Sequence, residues 1–140
     1  MLMAIERDDL QIVRMLLKAG ADPNGPSGSW GSLLNAALYK GQLAIIKALV
    51  DSGANTRIIT RSFGGPLHIL NFSEAFASDD SGLSQIRQIA HLLLGNGAQL
   101  DARDHGGGTP IMRAIFHGNM PYAELLLELG ADVNTRDELG

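Results

Sequence analysis

The sequence predicts an all-α solenoid in which helix-turn-helix pairs stack side by side, joined by β-hairpin-like loops. Three observations carry this. A glycine-alanine-polar signal occurs four times, at Gly20-Ala21-Asp22, Gly53-Ala54-Asn55, Gly97-Ala98-Gln99 and Gly130-Ala131-Asp132. The glycines are spaced by 33, 44 and 33 residues, as expected for a 33-residue unit of which one copy carries an insertion of 11. Each glycine also closes an apolar segment with helical spacing.

In the first unit that segment holds Leu10, Ile12, Val13, Leu16 and Leu17, and in the second Leu43, Ile45, Ile46, Leu49 and Val50. Ile89, Ala90, Leu93 and Leu94 fill the slots in the third, with Arg87 as the polar exception. Met120, Tyr122, Ala123, Leu126 and Leu127 fill them in the last. A stripe of this width at the 3.6-residue period predicts a helix burying one side. A glycine just past its end predicts a left-handed C-cap.

A shorter helix is expected upstream of each. Gly65-Pro66-Leu67-His68 and Thr109-Pro110-Ile111-Met112 put proline in a first turn, where its missing N–H costs nothing. Ser32-Leu33-Leu34-Asn35-Ala36-Ala37 fills the same slots more loosely. Gly-, Asn-, Asp- and Ser-rich stretches between pairs suit tight hairpins.

These motifs resemble the ankyrin repeat, with its Thr-Pro-Leu-His-x-Ala signature, a glycine some way on, then Leu-Leu-x-x-Gly-Ala-Asp. The closest match is Thr109-Pro110, Ala114, Gly118, Leu126-Leu127 and Gly130-Ala131-Asp132-Val133-Asn134. The resemblance divides a single domain into a truncated unit at 1–26, units at 27–59, 60–103 and 104–136, and the start of another at 137–140. The first unit lacks its Thr-Pro-Leu-His, and 137–140 look like an opening hairpin. Further repeats are therefore expected in a longer chain.

Two departures from the pattern stand out. An insertion at about 73–83 separates the two helices of the third unit. Phe72, Ala75 and Phe76 are expected to extend its inner helix, and Asp79, Asp80 and Ser81 to form a polar loop or N-cap. It is either a tolerated surface loop or, through Phe76 and the acidic tip, a private contact. Trp30 and Phe63 stand where the family has glycine and Gly107 keeps it. They are 33 residues apart and expected side by side, either as an exposed hot spot or stacked to stiffen the turns.

Composition narrows the function. A net charge of −4 provides no basic field for nucleic acid or an anionic membrane. With 5% aromatic residues, a base-stacking surface is not expected either. The chain has no cysteine, which excludes disulfides, thiolate zinc sites and cysteine nucleophiles and suits an intracellular, cytoplasmic or nuclear, setting. No apolar run approaches the roughly 20 residues of a membrane span, and the first residues do not form a signal peptide.

Catalytic signals are weak. No two of His68, His91, His105 and His117 lie at helical metal-ligand spacing, so no metal is expected. Gly106-Gly107-Gly108 lacks the Lys-Ser/Thr of a phosphate loop and is expected to be hairpin. No serine sits in a nucleophile elbow. Asp22 and Asp132 are expected to bond local backbone N–H groups. The resemblance gives His68 a structural hydrogen-bonding role. No enzyme activity and no cofactor are expected.

The resemblance implies that partner proteins bind the groove of inner helices and hairpin tips. Carried over by position, the candidates are Trp30, Tyr39, Lys40, Arg61, Phe63, Ile69, Phe72, His105, Arg113, Phe116 and His117. Aromatic residues and arginine are enriched at such interfaces. The alternative is an architectural or regulatory segment of a larger ankyrin protein.

Overall fold

The computed structural model describes residues 1–77 and 80–136. Its helices are α1 (Leu2–Glu6), α2 (Leu10–Lys18), α3 (Leu33–Lys40), α4 (Leu43–Asp51), α5 (Pro66–Ile69), α6 (Asp80–Gly95), α7 (Pro110–Phe116) and α8 (Met120–Glu128). They form four antiparallel pairs. Inner helices α1, α3, α5 and α7 each pack on the next, and so do outer helices α2, α4, α6 and α8. No helix among the described residues is long and apolar enough to cross a membrane.

Local chemistry sets the boundaries. Ser32 Oγ accepts the Asn35 N–H at 2.9 Å and Thr109 Oγ1 accepts that of Met112, satisfying donors that a first turn leaves free. Gly65 has no side chain to offer. There His68 reaches back, its Nδ1 accepting the Gly65 N–H at 3.0 Å. Pro66 and Pro110 begin their helices, as predicted. Gly20, Gly53, Gly97 and Gly130 follow the outer helices with φ between +91° and +99°, the left-handed conformation expected of them.

The core runs along the stack between the two helix layers, through Ile5, Leu38, Ile46, Leu49, Leu70, Ile89, Leu93 and Leu126. Amide side chains stitch one unit to the next. Gln42 donates to the Ile5 carbonyl at 2.8 Å, Asn119 to the Asn71 carbonyl at 3.1 Å, and Gln85 to the Gly41 carbonyl. The turns after the outer helices are tied similarly. Asp22 and Asp132 each accept a backbone N–H two residues on, at 2.8 Å, as expected. Asn24 accepts the Asn55 N–H of the following unit.

The insertion takes a different path from the one its sequence predicts. Leu70–Phe72 continue α5 only as a tight 3₁₀ turn. The chain then breaks at Ser73, with φ −62° and ψ 135°, before a second 3₁₀ turn at Glu74–Ala77. Tertiary packing is the reason. Ala75 lies against Gly41 of the preceding unit so closely that a Cβ there would sit 2.7 Å from that of Ala75. Phe76 turns onto Tyr122, ring centres 5.7 Å apart, and is half-buried there. Asp79, the side chain of Asp80 and residues 137–140 lie outside the described residues.

The outermost units expose slots that their neighbours bury. Met3 is 66% exposed, whereas Ala36 and Ile69 in the same slot are fully buried. Ile115 is 58% exposed, whereas Leu38 in its slot is fully buried. A solenoid unit is covered only by the units beside it.

Candidate partner-binding groove

Two hairpins rise beside the inner helices. In one, Thr60 and Gly64 exchange backbone hydrogen bonds of 2.9 and 3.0 Å. In the other, the Asp104 N–H donates to the Gly108 carbonyl at 2.9 Å. Between these hairpins and the inner helices opens a groove lined by Arg61, Phe63, Phe72, His105, Arg113, Phe116 and His117, with Ser62, Gly64, His68, Asp104 and Gly106. Seven of the sequence-derived candidates thus meet in one place.

Their roles differ. Phe116 is 79% exposed and Phe72 42%. The His117 ring meets the edge of each, with centres 5.2 and 4.8 Å away, so the three rings form one surface. Arg61 and His105 occupy equivalent hairpin tips and are exposed.

Arg113 is engaged within the chain. Its Nε and Nη2 donate to the Asp104 carboxylate at 2.5 and 2.9 Å. That carboxylate also accepts the Gly106 and Gly108 N–H groups, both at 2.9 Å. The Arg113 hydrogen bond is the largest cause holding the Asp104 carboxyl down to about 2, with the two backbone bonds adding to it. The guanidinium lies flat on the hairpin, and a Cβ on Gly108 would sit 2.6 Å from it. The glycine run therefore admits a side chain rather than merely loosening a turn. Asp104 is absent from the sequence-derived candidates. Its signal was an aspartate two and four residues before glycines, a local N–H acceptor, opposite an arginine on the next helix.

Beneath the groove, His68 bridges two units. Because Nδ1 accepts from Gly65, Nε2 carries the proton and donates to the Gly108 carbonyl at 2.8 Å. Burial lowers its pKa, partly offset by that bond and by Asp104. This is the hydrogen-bonding role that the resemblance implied.

Four candidates lie elsewhere or are covered. Ile69 is fully buried, so the sequence-based assignment to the groove surface is corrected. Ala36, in the same slot of the preceding unit, is equally buried, whereas Arg113 in that slot reaches the Asp104 hairpin. Trp30 and Phe63 stack, rings 5.7 Å apart and inclined by 23°. Tyr39 closes on Trp30 at 5.0 Å. All three are half-buried. Their local geometry explains the missing glycines. The left-handed residue is Gly107 in the last hairpin, but Gly64 and Gly31 in the others, one position past the aromatic ring. Lys40 lies in a separate depression with Gln42 and Gln85.

The family model for ankyrin repeats matches residues 1–69 and 88–127. The chain belongs to the ankyrin-repeat family. It is 34% identical over 137 residues to the ankyrin repeat protein nuc-2 of Neurospora crassa, covering 96% of this chain and 12% of that protein. It is 26% identical over 139 residues to the phosphocholine transferase AnkX of Legionella pneumophila, covering 98% of this chain and 14% of that protein. It is 34% identical over 106 residues to the NF-kappa-B inhibitor alpha of Sus scrofa, covering 74% of this chain and 32% of that protein. The chain thus spans less than a third of the length of each of these relatives. Ankyrin repeats are a general protein–protein interaction module, and the matched regions of this chain are such repeats. Among the described residues no cluster of three His, Cys, Asp or Glu is placed to hold a metal ion.

Proposed function

We propose that this chain is a non-catalytic ankyrin segment that binds a partner protein in the groove between the hairpins at 60–64 and 104–108 and the inner helices. The observation carrying this reading is the pair of exposed rings Phe72 and Phe116 in that groove. They occupy one slot in successive units, 44 residues apart, whereas Tyr39 in the same slot of the preceding unit is half-buried against Trp30. Exposed aromatic rings beside arginine are the side chains that most often anchor a protein interface.

Comparing capture of cell proteins by the wild-type chain and by a Phe72→Ala/Phe116→Ala variant tests it. The groove reading requires that a specifically captured protein be lost from the variant while helical circular dichroism is unchanged. Equal capture by both would sink it. Arg113 is left out of the variant because its removal also frees the Asp104 hairpin.

A second reading, a structural segment within a longer array, is favoured by the apolar end faces. Met3, Ile12 and Met15 at one end, and Ile115, Met120 and Leu127 at the other, fill surfaces of the kind that further repeats cover.

A further inference from the structure

The groove has a charge opposite in sign to that of the chain as a whole. The net charge is −4. Yet the ionisable residues lining the groove are Arg61, Arg113, His68, His105 and His117, against the single carboxylate of Asp104. That carboxylate is already occupied by Arg113 and two backbone N–H groups. His68 has both ring nitrogens committed beneath the surface. His117 Nδ1 is bonded to the Arg113 carbonyl at 2.8 Å. What the groove presents outward is therefore the Arg61 guanidinium and the His105 imidazole, next to the exposed faces of Phe72 and Phe116.

These groups follow the repeat in two parallel columns. Arg61 and His105 share one slot on successive hairpin tips, 44 residues apart in sequence. Phe72 and Phe116 share another on the successive inner helices, at the same 44-residue interval. Packed helices lie about 8–10 Å apart. An occupant lying across the units therefore meets an aromatic ring and an arginine or histidine tip in each.

From this geometry we infer that the groove takes an acidic peptide segment of a partner protein, carrying aromatic or branched aliphatic anchors between Asp or Glu residues. The inference rests on the groove being the docking surface. The anchors cover Phe72, His117 and Phe116, and the carboxylates face Arg61 and His105. Opposite charges across such a rim speed encounter and reject basic competitors. Deep apolar contact supplies most of the holding energy.

An array of short synthetic peptides tests the inference. Phe or Leu anchors at systematically varied spacing are combined with Asp/Glu, Lys/Arg or Ser between them, and the labelled full chain is the probe. Acidic members should bind and basic ones should not. For the best acidic member, Arg61→Glu and Phe116→Ala should each weaken binding by on the order of tenfold, with circular dichroism unchanged. Raising salt should weaken it several-fold, by about three to ten times.

Tightest binding by the basic members would overturn the acidic occupant and leave the groove reading standing. Acidic binding untouched by both substitutions would place the peptide elsewhere and overturn the inference. Binding by no member also overturns it, while the groove itself is judged by the double-variant capture.

Discussion

The His68 imidazole joins two repeats through its two nitrogens. Nδ1 accepts the Gly65 N–H at 3.0 Å, and Nε2 donates to the Gly108 carbonyl at 2.8 Å, 40 residues further on. Only the neutral ring does both. Burial lowers its folded pKa below the ordinary 6.5, so the unfolded chain binds the extra proton first. Stability from this group is therefore complete above 6.5 and falls as pH drops below it. The denaturation midpoint of the wild type should fall between about pH 7.5 and about 5.5, and that of His68→Gln should fall less. Asp104 does not confuse the comparison: its contribution is complete above 3.8 and is lost only toward about 2. Equal pH slopes for wild type and variant would refute the neutral bridge.

The contact between Gly108 and Arg113 is testable by a double-mutant cycle. Gly108→Ala places a methyl group 2.6 Å from the guanidinium and must displace it from Asp104. The cost should be about 2 kcal/mol, the worth of a charge-assisted bidentate pair. In an Arg113→Ala background the same substitution should cost well under half as much. Additive costs, measured by urea denaturation, would mean that the glycine is needed for another reason.

The buried phenol of Tyr122 donates to the Leu67 carbonyl at 2.5 Å, tying the last outer helix, α8, to α5, the inner helix of the preceding unit. Tyr122→Phe should cost about 1–2 kcal/mol by leaving that carbonyl unmatched. Burial also pushes the phenol far above its ordinary value of 10.0. Stability from this group is thus present below 10.0 and declines as pH rises past it. In an ultraviolet titration, one of the two tyrosines should resist ionisation until the chain unfolds. Early titration of both would contradict the burial.

Ile69 and Phe116 give opposite stability signatures, although both were sequence-derived groove candidates. Ile69→Ala should cost about 2–5 kcal/mol through the cavity it leaves. Phe116→Ser, at 79% exposure, should stay within about 0.5 kcal/mol of wild type. Thermal or chemical melts of the two variants decide it, and comparable losses would mean that the inner-helix register is wrong.

Features controlled by near neighbours in the chain were legible in the sequence. Proline begins α5 and α7 because its ring already has helical φ. Gly20, Gly53, Gly97 and Gly130 take positive φ because a helix end there suits a residue without Cβ. The same period set Trp30 beside Phe63. Which side chain faces solvent depended on groups distant in sequence. Ile69 and Phe72 are only three residues apart, yet packing between helices buries the first fully and leaves the second 42% exposed. Arg113 became a brace because Asp104, on a hairpin, receives it. The inserted segment breaks at Ser73 rather than extending α5 because Gly41, in another unit, makes room for Ala75. Periodicity and capping are local energies and are written along the chain. Exposure and ion pairing arise between units, so only the stacked tertiary structure decided them.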